Sequence, residues 1–382
     1  MRCGSDFVIA IKGYFGFSNF GDDAMMAVLG GLLRRVAPEA RLVFVCEENS
    51  YVRRLVPNAD IVQRSREAEI APDLLLYGGG TQFFSFPLTT SRGQSKAVRR
   101  LRLSLRPHLA VRAMLGRYHR PKPHIAALGI GLGPFLGDPR ERQATLDLFR
   151  RMEFVSVRDP DSLRLCQEWG VKSAYYHTDL CYLPGSWEAA RRVNRGTVSR
   201  IGVIVRDWPH TIEGDSHREP LLEAVGELRR LGKQVTFVLF THGRDRVWSE
   251  RLRERSEAVV EWQPERSSIS AFVESLTQFD LLVTSRFHGA VFGSLIGIPV
   301  VCIGIEPKLE FASRLLGAGA RLWQHPFPPR QCVAAVLDLE SSYFVATEAL
   351  ITVVREQRAC VDAEVRDFAR YLSDCFQVGA GL

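Results

Sequence analysis

The chain has 382 residues, 46% hydrophobic and 24% charged, with a formal net charge of +7. That length exceeds one ordinary core and fits two domains of ~100–200 residues each, while the composition excludes disordered and fibrous classes and no apolar run approaches the ~20 residues of a membrane span. Eight cysteines are dispersed with no Cys-x-x-Cys pair, so they read as reduced, mostly buried thiols, with neither a disulfide frame nor a metal site suggested.

Asp6 precedes the short apolar run Phe7 to Ile11, which reads as a first strand without a signal peptide, so cytoplasmic residence is expected. A glycine-rich loop, Gly13 to Asp23, leads into a helix over Asp22 to Val36. Strands are predicted at Arg41 to Cys46, Asp73 to Tyr77, His124 to Ile130 and Phe154 to Val157, with helical stretches between them. The third strand ends in Gly78-Gly79-Gly80, which either lets backbone approach a ligand or makes a tight turn.

Between Asp73 and Asp138 no acidic residue occurs, whereas Arg92, Lys96, Arg99, Arg100, Arg102, Arg106, Arg112, Arg117, Arg120 and Lys122 crowd together. Leucines interleave with these arginines, so the segment suits a peripheral contact with an anionic membrane surface or a lipid diphosphate. Nucleic acid is not expected, because Tyr118 is the stretch's one aromatic and single-strand binding relies on stacking.

After the basic connection Arg191 to Arg200 the alternation begins again. Strands are predicted at Ile201 to Val205, Val235 to Phe240, Ala258 to Glu261, Leu281 to Thr284 and Val300 to Ile303, with helices over Glu219 to Leu231 and Ser268 to Gln278. The fold class is therefore α/β, with two tandem Rossmann-like domains of parallel strands, 1–190 and 191–382, and an active cleft between them. The C-terminal helical stretch 341–376 is placed so that it can pack back on the first domain. Oligomeric state is not legible.

The most informative segment is Thr284-Ser285-Arg286-Phe287-His288-Gly289, a strand end opening a helix. A helix N-terminus, an arginine fork and an imidazole together suit a small phosphorylated anion. Taken in order, Gly13 to Gly16, Asn19 to Ala24, Gly78 to Gly80, Val155 to Asp159 with Ser162, His177 to Asp179, Arg206-Asp207-Trp208, Ser285 to His288, Gly297-Ile298-Pro299 and Pro307-Lys308 resemble the polysaccharide pyruvyl transferase family. The sequence departs from the family pattern at Asp22-Asp23, commonly Asp-Glu, and at Thr81, where a further glycine is common.

The resemblance implies a GT-B-like fold and transfer of a pyruvate ketal from phosphoenolpyruvate to a sugar of a cell-surface polysaccharide or its precursor, whose carrier would be a polyprenyl diphosphate at the inner membrane face. Phosphoenolpyruvate is then a co-substrate, and no cofactor is required. Its phosphate and carboxylate need separate cations, which Arg206, Arg286 and Lys308 can supply. His288 either moves protons in the reaction or only hydrogen-bonds phosphate. Asn19, Asp22 and Asp23 either hold or deprotonate the acceptor hydroxyl, or cap the first helix, and Gly79 and Gly80 let substrate approach. Two other classes share parts of the pattern, a nucleotide-sugar glycosyltransferase of the same fold and a basic adaptor built on the Arg92 to Lys122 stretch.

Overall fold

The computed structural model describes residues 7–47, 50–86, 122–184, 187, 196–208, 210, 215–241 and 243–376. The arginine-rich stretch from Arg92 to Arg120 lies outside these residues, so the membrane reading has no structural counterpart here. Among the described residues no helix is long and apolar enough to cross a membrane.

Two sheets, each wholly parallel, carry the fold. The first contains β1 (Val8–Lys12), β2 (Arg41–Cys46), β3 (Asp60–Gln63), β4 (Leu74–Ser85), β5 (His124–Phe135), β6 (Phe154–Val157) and β7 (Ala174–Tyr176), in the spatial order β3-β2-β1-β4-β5-β6-β7. The second contains β8 (Arg200–Val205), β9 (Gln234–Leu239), β10 (Val259–Glu261), β11 (Leu281–Thr284), β12 (Val300–Ile303) and β13 (Ala320–Trp323), in the order β10-β9-β8-β11-β12-β13. Central strands such as β11 and β12 are buried along their whole length, as parallel strands covered by helices on both faces must be. In each sheet the polypeptide winds outward one way and then the other, which leaves a switch point between β1 and β4 and another between β8 and β11. Ligands bind at such points, beyond the carboxyl ends of the strands.

β3, β7 and β13 were not expected from the sequence. Each is a short strand at a sheet edge, and each carries exposed or half-buried positions instead of a continuous apolar run. The glycine triplet also sits differently. Gly78 to Gly80 lie inside β4, whose pairing with β5 continues through register shifts to Ser85 and Phe135. Positive φ at Gly79 (65°) and Gly80 (74°) carries the ribbon through this irregularity.

The first helix, α1 (Phe20–Val36), begins beside the second sheet. Asn19 forms an antiparallel bridge with Thr241, and the Phe20 amide donates to the Phe240 carbonyl at 2.8 Å. The Phe20 ring, fully buried, meets Phe240, Trp262, Phe272 and Phe292 at centroid distances of 4.6–5.4 Å. Asp23 completes the joint, since its carboxylate accepts from Tyr51 Oη at 3.0 Å and from Trp262 Nε1 at 2.9 Å. Near the C-terminus, the long helix over Tyr343–Phe376 returns to the first sheet, where Phe368 meets Phe154 and Phe376 meets Phe7. Glu364 on this helix is fully buried and bonded to Ser156 Oγ.

Burial raises the Asp23 carboxyl to about 7, against the opposing bonds from Trp262 and Tyr51, and raises that of Glu364 to about 8. Unfolded, both groups lose their protons near pH ~4. Native and unfolded protein thus bind equal numbers of protons at these sites below that pH, and the native state holds more above it. Stability from this source is complete only below pH ~4, falls as pH rises from there, and is fully lost once pH has passed 7 and 8. The melting temperature is expected to fall between pH 5 and 8.5, and Asp23→Asn or Glu364→Gln, each neutral at every pH, should flatten that decline. Thermal unfolding followed across this range checks it, and an unchanged slope in both variants would contradict the assignment.

Candidate active site

The two switch points face one another across a cleft of about 1350 Å³. Its second-domain wall is built from strand ends. Arg206 follows β8, Arg286 follows β11 as the residue before helix α2 (Phe287–Leu295), and Glu306 precedes helix α3 (Pro307–Leu316), whose second residue is Lys308. Two helix N-termini therefore converge on one corner, where exposed N–H groups and the dipole favour an anion.

Each cation in this corner is held by a carboxylate. Arg206 donates to Glu306 at 2.6 Å, and Lys308 Nζ lies 3.1 Å from the same Glu306 oxygen. Arg286 donates to Asp245 at 2.5 Å and to Thr241 Oγ1 at 3.2 Å. Burial alone would raise the Glu306 carboxyl, but Arg206 and Lys308 outweigh it and hold the group below its ordinary value. Desolvation lowers Lys308 to about 8, against the pull of Glu306. Three cations on two carboxylates leave one positive charge. The Nε of Arg286 is also buried with no hydrogen-bond partner among the described residues.

The first domain brings Asn19, Asp22 and Gly80 to the cleft. Asn19 Nδ2 donates to Asp22 Oδ2, and burial raises the Asp22 carboxyl although His288, Lys308, Arg158 and Asn19 all oppose the shift. A side chain at Gly80 would begin 3.1 Å from Asp22 Oδ1, so glycine leaves room for this carboxylate. Gly79 instead turns toward Met25 and away from the cleft lining. Asp23 is not part of the cleft either: it is fully buried, with both oxygens committed to Tyr51 and Trp262.

His288, in the first turn of α2, lies against Gly21, where an added Cβ would fall 2.1 Å from Nδ1. Its Nε2 is 3.5 Å from Asp179 Oδ2. Arg158 donates to that same Asp179 oxygen at 2.8 Å and to Thr81 Oγ1 at 3.0 Å, with its guanidinium 4.6 Å from the centre of the Phe287 ring. Burial would raise Asp179, but His288 and Arg158 together hold it well below the usual carboxylate range. The ring thus has an anion behind it at ion-pair distance, while Nε2 is buried without a hydrogen-bond partner among the described residues. Asp179, Cys181 and His288 bring three potential metal-binding atoms within 4.8 Å of one another. Both Asp179 oxygens are already engaged, by Arg158 and by the Cys181 amide, and burial lifts the Cys181 thiol well above its ordinary value, so the trio is arranged as an ion-pair cluster.

Sequence reasoning found the cationic corner but missed its carboxylates. Glu306 had a signal, its place before the proline of a helix start. Asp245 had none, because it reaches Arg286 from a different strand-to-helix turn.

A model of the family described as polysaccharide pyruvyl transferase matches residues 19–307, most of the chain. The chain belongs to the polysaccharide pyruvyl transferase family. No curated protein sequence matches it. Among solved structures it resembles a UDP-N-acetylglucosamine 2-epimerase, described as putative, from Listeria monocytogenes, with 12% identity, a TM-score of 0.60 and 98% of each chain covered. The Anabaena HepE protein in complex with UDP matches at 11% identity and a TM-score of 0.57, over 96% of this chain and 100% of that one. The glycotransferase of kitacinnamycin matches at 17% identity and a TM-score of 0.52, over 97% and 99%. At such identities the likeness concerns the fold, which is GT-B-like.

Gly21→Ala tests the seating of the histidine. The helix itself tolerates alanine, by up to ~1 kcal/mol better than glycine, but the methyl group must displace the His288 ring from Asp179. The imidazole resonances of His288 are expected to move relative to wild type, as read by NMR at a single pH. Unaltered resonances would place the ring elsewhere.

Proposed function

We propose that the protein forms a pyruvate ketal on a saccharide, with phosphoenolpyruvate as donor and inorganic phosphate as leaving product. The observation that carries this reading is the corner at the β8–β11 switch point, where Arg206, Arg286 and Lys308 converge with two helix N-termini around an unpartnered Arg286 Nε. A phosphate and a carboxylate on one small ligand match separated guanidinium groups, and an unsatisfied buried donor costs about 1–3 kcal/mol that such a ligand recovers.

The reaction needs a proton on the methylene carbon, attack of one sugar hydroxyl at the adjacent carbon, departure of phosphate, and attack by a second hydroxyl. Two protons leave the hydroxyls; one ends on the new methyl group and the other on phosphate. His288, with Asp179 behind it, is suited to protonate the methylene. Asp22, with its carboxyl raised and facing the same space, is suited to accept the hydroxyl proton, because a raised carboxylate is a stronger base than an ordinary one. The arginines stabilise the charge that gathers on carboxylate and phosphate.

A nucleotide-sugar glycosyltransferase shares the fold, and a thermal shift separates the two. A ligand at a hundredfold excess over its Kd adds about 2.7 kcal/mol, so phosphoenolpyruvate should raise the melting temperature while UDP and GDP leave it unchanged. The opposite pattern would overturn the proposal.

Arg206→Ala and Arg286→Ala are each expected to weaken phosphoenolpyruvate binding at least a hundredfold in calorimetry, with lysine at either position a poor substitute. Binding should also weaken above pH 8 as Lys308 loses its proton, a dependence that Lys308→Ala removes. His288→Gln should lower turnover by 10²–10⁴ while leaving donor affinity within a fewfold of wild type. If affinity falls in step with rate, His288 is a phosphate ligand only.

A further inference from the structure

The cleft carries an aromatic feature that neither the donor corner nor the proton-transferring groups use. Phe84 lies near the end of β4 and Phe86 just beyond it, and both line the cleft together with Trp208 and His210, which follow β8. Phe86 stacks on His210 at 4.1 Å between centroids with an interplanar angle of 14°, and meets Trp208 edge-on at 5.4 Å. Trp208, buried, holds the Arg206 guanidinium 4.1 Å from its ring centre. Phe84 lies 5.4 Å from Phe86, is 37% exposed, and belongs to neither hydrophobic core.

Phe84 therefore stands outside both cores, meeting them through Phe86, and sets an apolar ring in a charged cleft. Nine arginine or lysine and eight aspartate or glutamate side chains line the same space. A pyranose is the ligand that matches both, because its C–H face packs on an aromatic ring while its hydroxyl edge bonds to charged groups. The volume also exceeds the ~300–1,000 Å³ typical of one small-molecule site, which leaves room for a sugar beside a donor.

We propose that Phe84, backed by Phe86, is the stacking platform for the acceptor saccharide, and that it selects a cyclic sugar by its C–H face. This rests on the ketal-forming reading above, with the donor at Arg206 and Arg286 and the acceptor reaching it across Asp22. Phe86 meets Trp208, which holds the donor arginine, so the platform on the first domain is continuous with the donor corner on the second.

The test separates binding from chemistry. Saturation-transfer NMR with methyl β-D-galactopyranoside, methyl β-D-glucopyranoside and methyl α-D-mannopyranoside, with the acyclic alditol glucitol as control, should show contact for at least one pyranoside and none for the alditol. In Phe84→Ala that signal should be lost, and the acceptor KM should rise about tenfold, the worth of one aromatic contact, with kcat and phosphoenolpyruvate affinity within twofold of wild type. Phe84→Trp should restore both. An unchanged acceptor KM in Phe84→Ala, equal contact by the alditol, or a parallel loss of donor affinity would overturn the platform, the last by making the aromatic group a strut between the domains. If wild type fails to bind phosphoenolpyruvate yet binds a pyranoside through Phe84, the donor reading fails and the platform stands.

Discussion

The geometry of the cleft depends on one docking event, the insertion of the first helix's N-terminus into the second domain. Phe20 is surrounded by Phe240, Phe272, Phe292 and Trp262, a contact of the kind whose truncation costs about 3–5 kcal/mol. Asn19 and Asp23 on either side tie backbone and side chain to Thr241 and Trp262. Two Rossmann-like units joined only by a linker would be free to move against each other. Here the floor of the cleft is a continuous core, so Asp22 and His288, which come from different domains, are held together before any ligand arrives.

The same insertion explains how adjacent acidic residues take different parts. Asp22 and Asp23 are neighbours on one helical turn, and a turn advances about 100° per residue. One carboxylate therefore looks into the cleft beside Gly80, while the other looks into the joint between Tyr51 and Trp262. Burial raises both, but only the first faces space where a substrate can use it.

Electrostatically the cleft is not a basic funnel. Its cations and anions are nearly equal in number, and the deep arginines are clamped by Glu306 and Asp245. Such clamping fixes guanidinium positions in advance, so an anion entering the corner meets donors that need no reorganisation. Selectivity then comes from where the forks point and not from a net field. The pairing of Asp179 with both Arg158 and His288 follows the same design on the opposite side.

The sequence by itself determined the layer architecture and the cationic corner. Apolar strands alternating with helices dictate a parallel sheet, and strand ends such as Val205-Arg206 and Thr284-Ser285-Arg286 advertise their position, because in a parallel sheet the carboxyl ends of the strands share one edge. Edge strands β3, β7 and β13 stayed hidden, since a strand covered on fewer sides has no need of a continuous apolar run. Which residues meet in and around the cleft follows only from the tertiary structure. Asp245 against Arg286, Asp179 against His288, and Phe86 against Trp208 and His210 are separated by 41, 109 and more than 120 residues, and no local period or spacing encodes such contacts. They exist because strand ends distant in sequence lie side by side in a parallel sheet, and because the two sheets are held together by the buried end of the first helix and by the returning C-terminal helix.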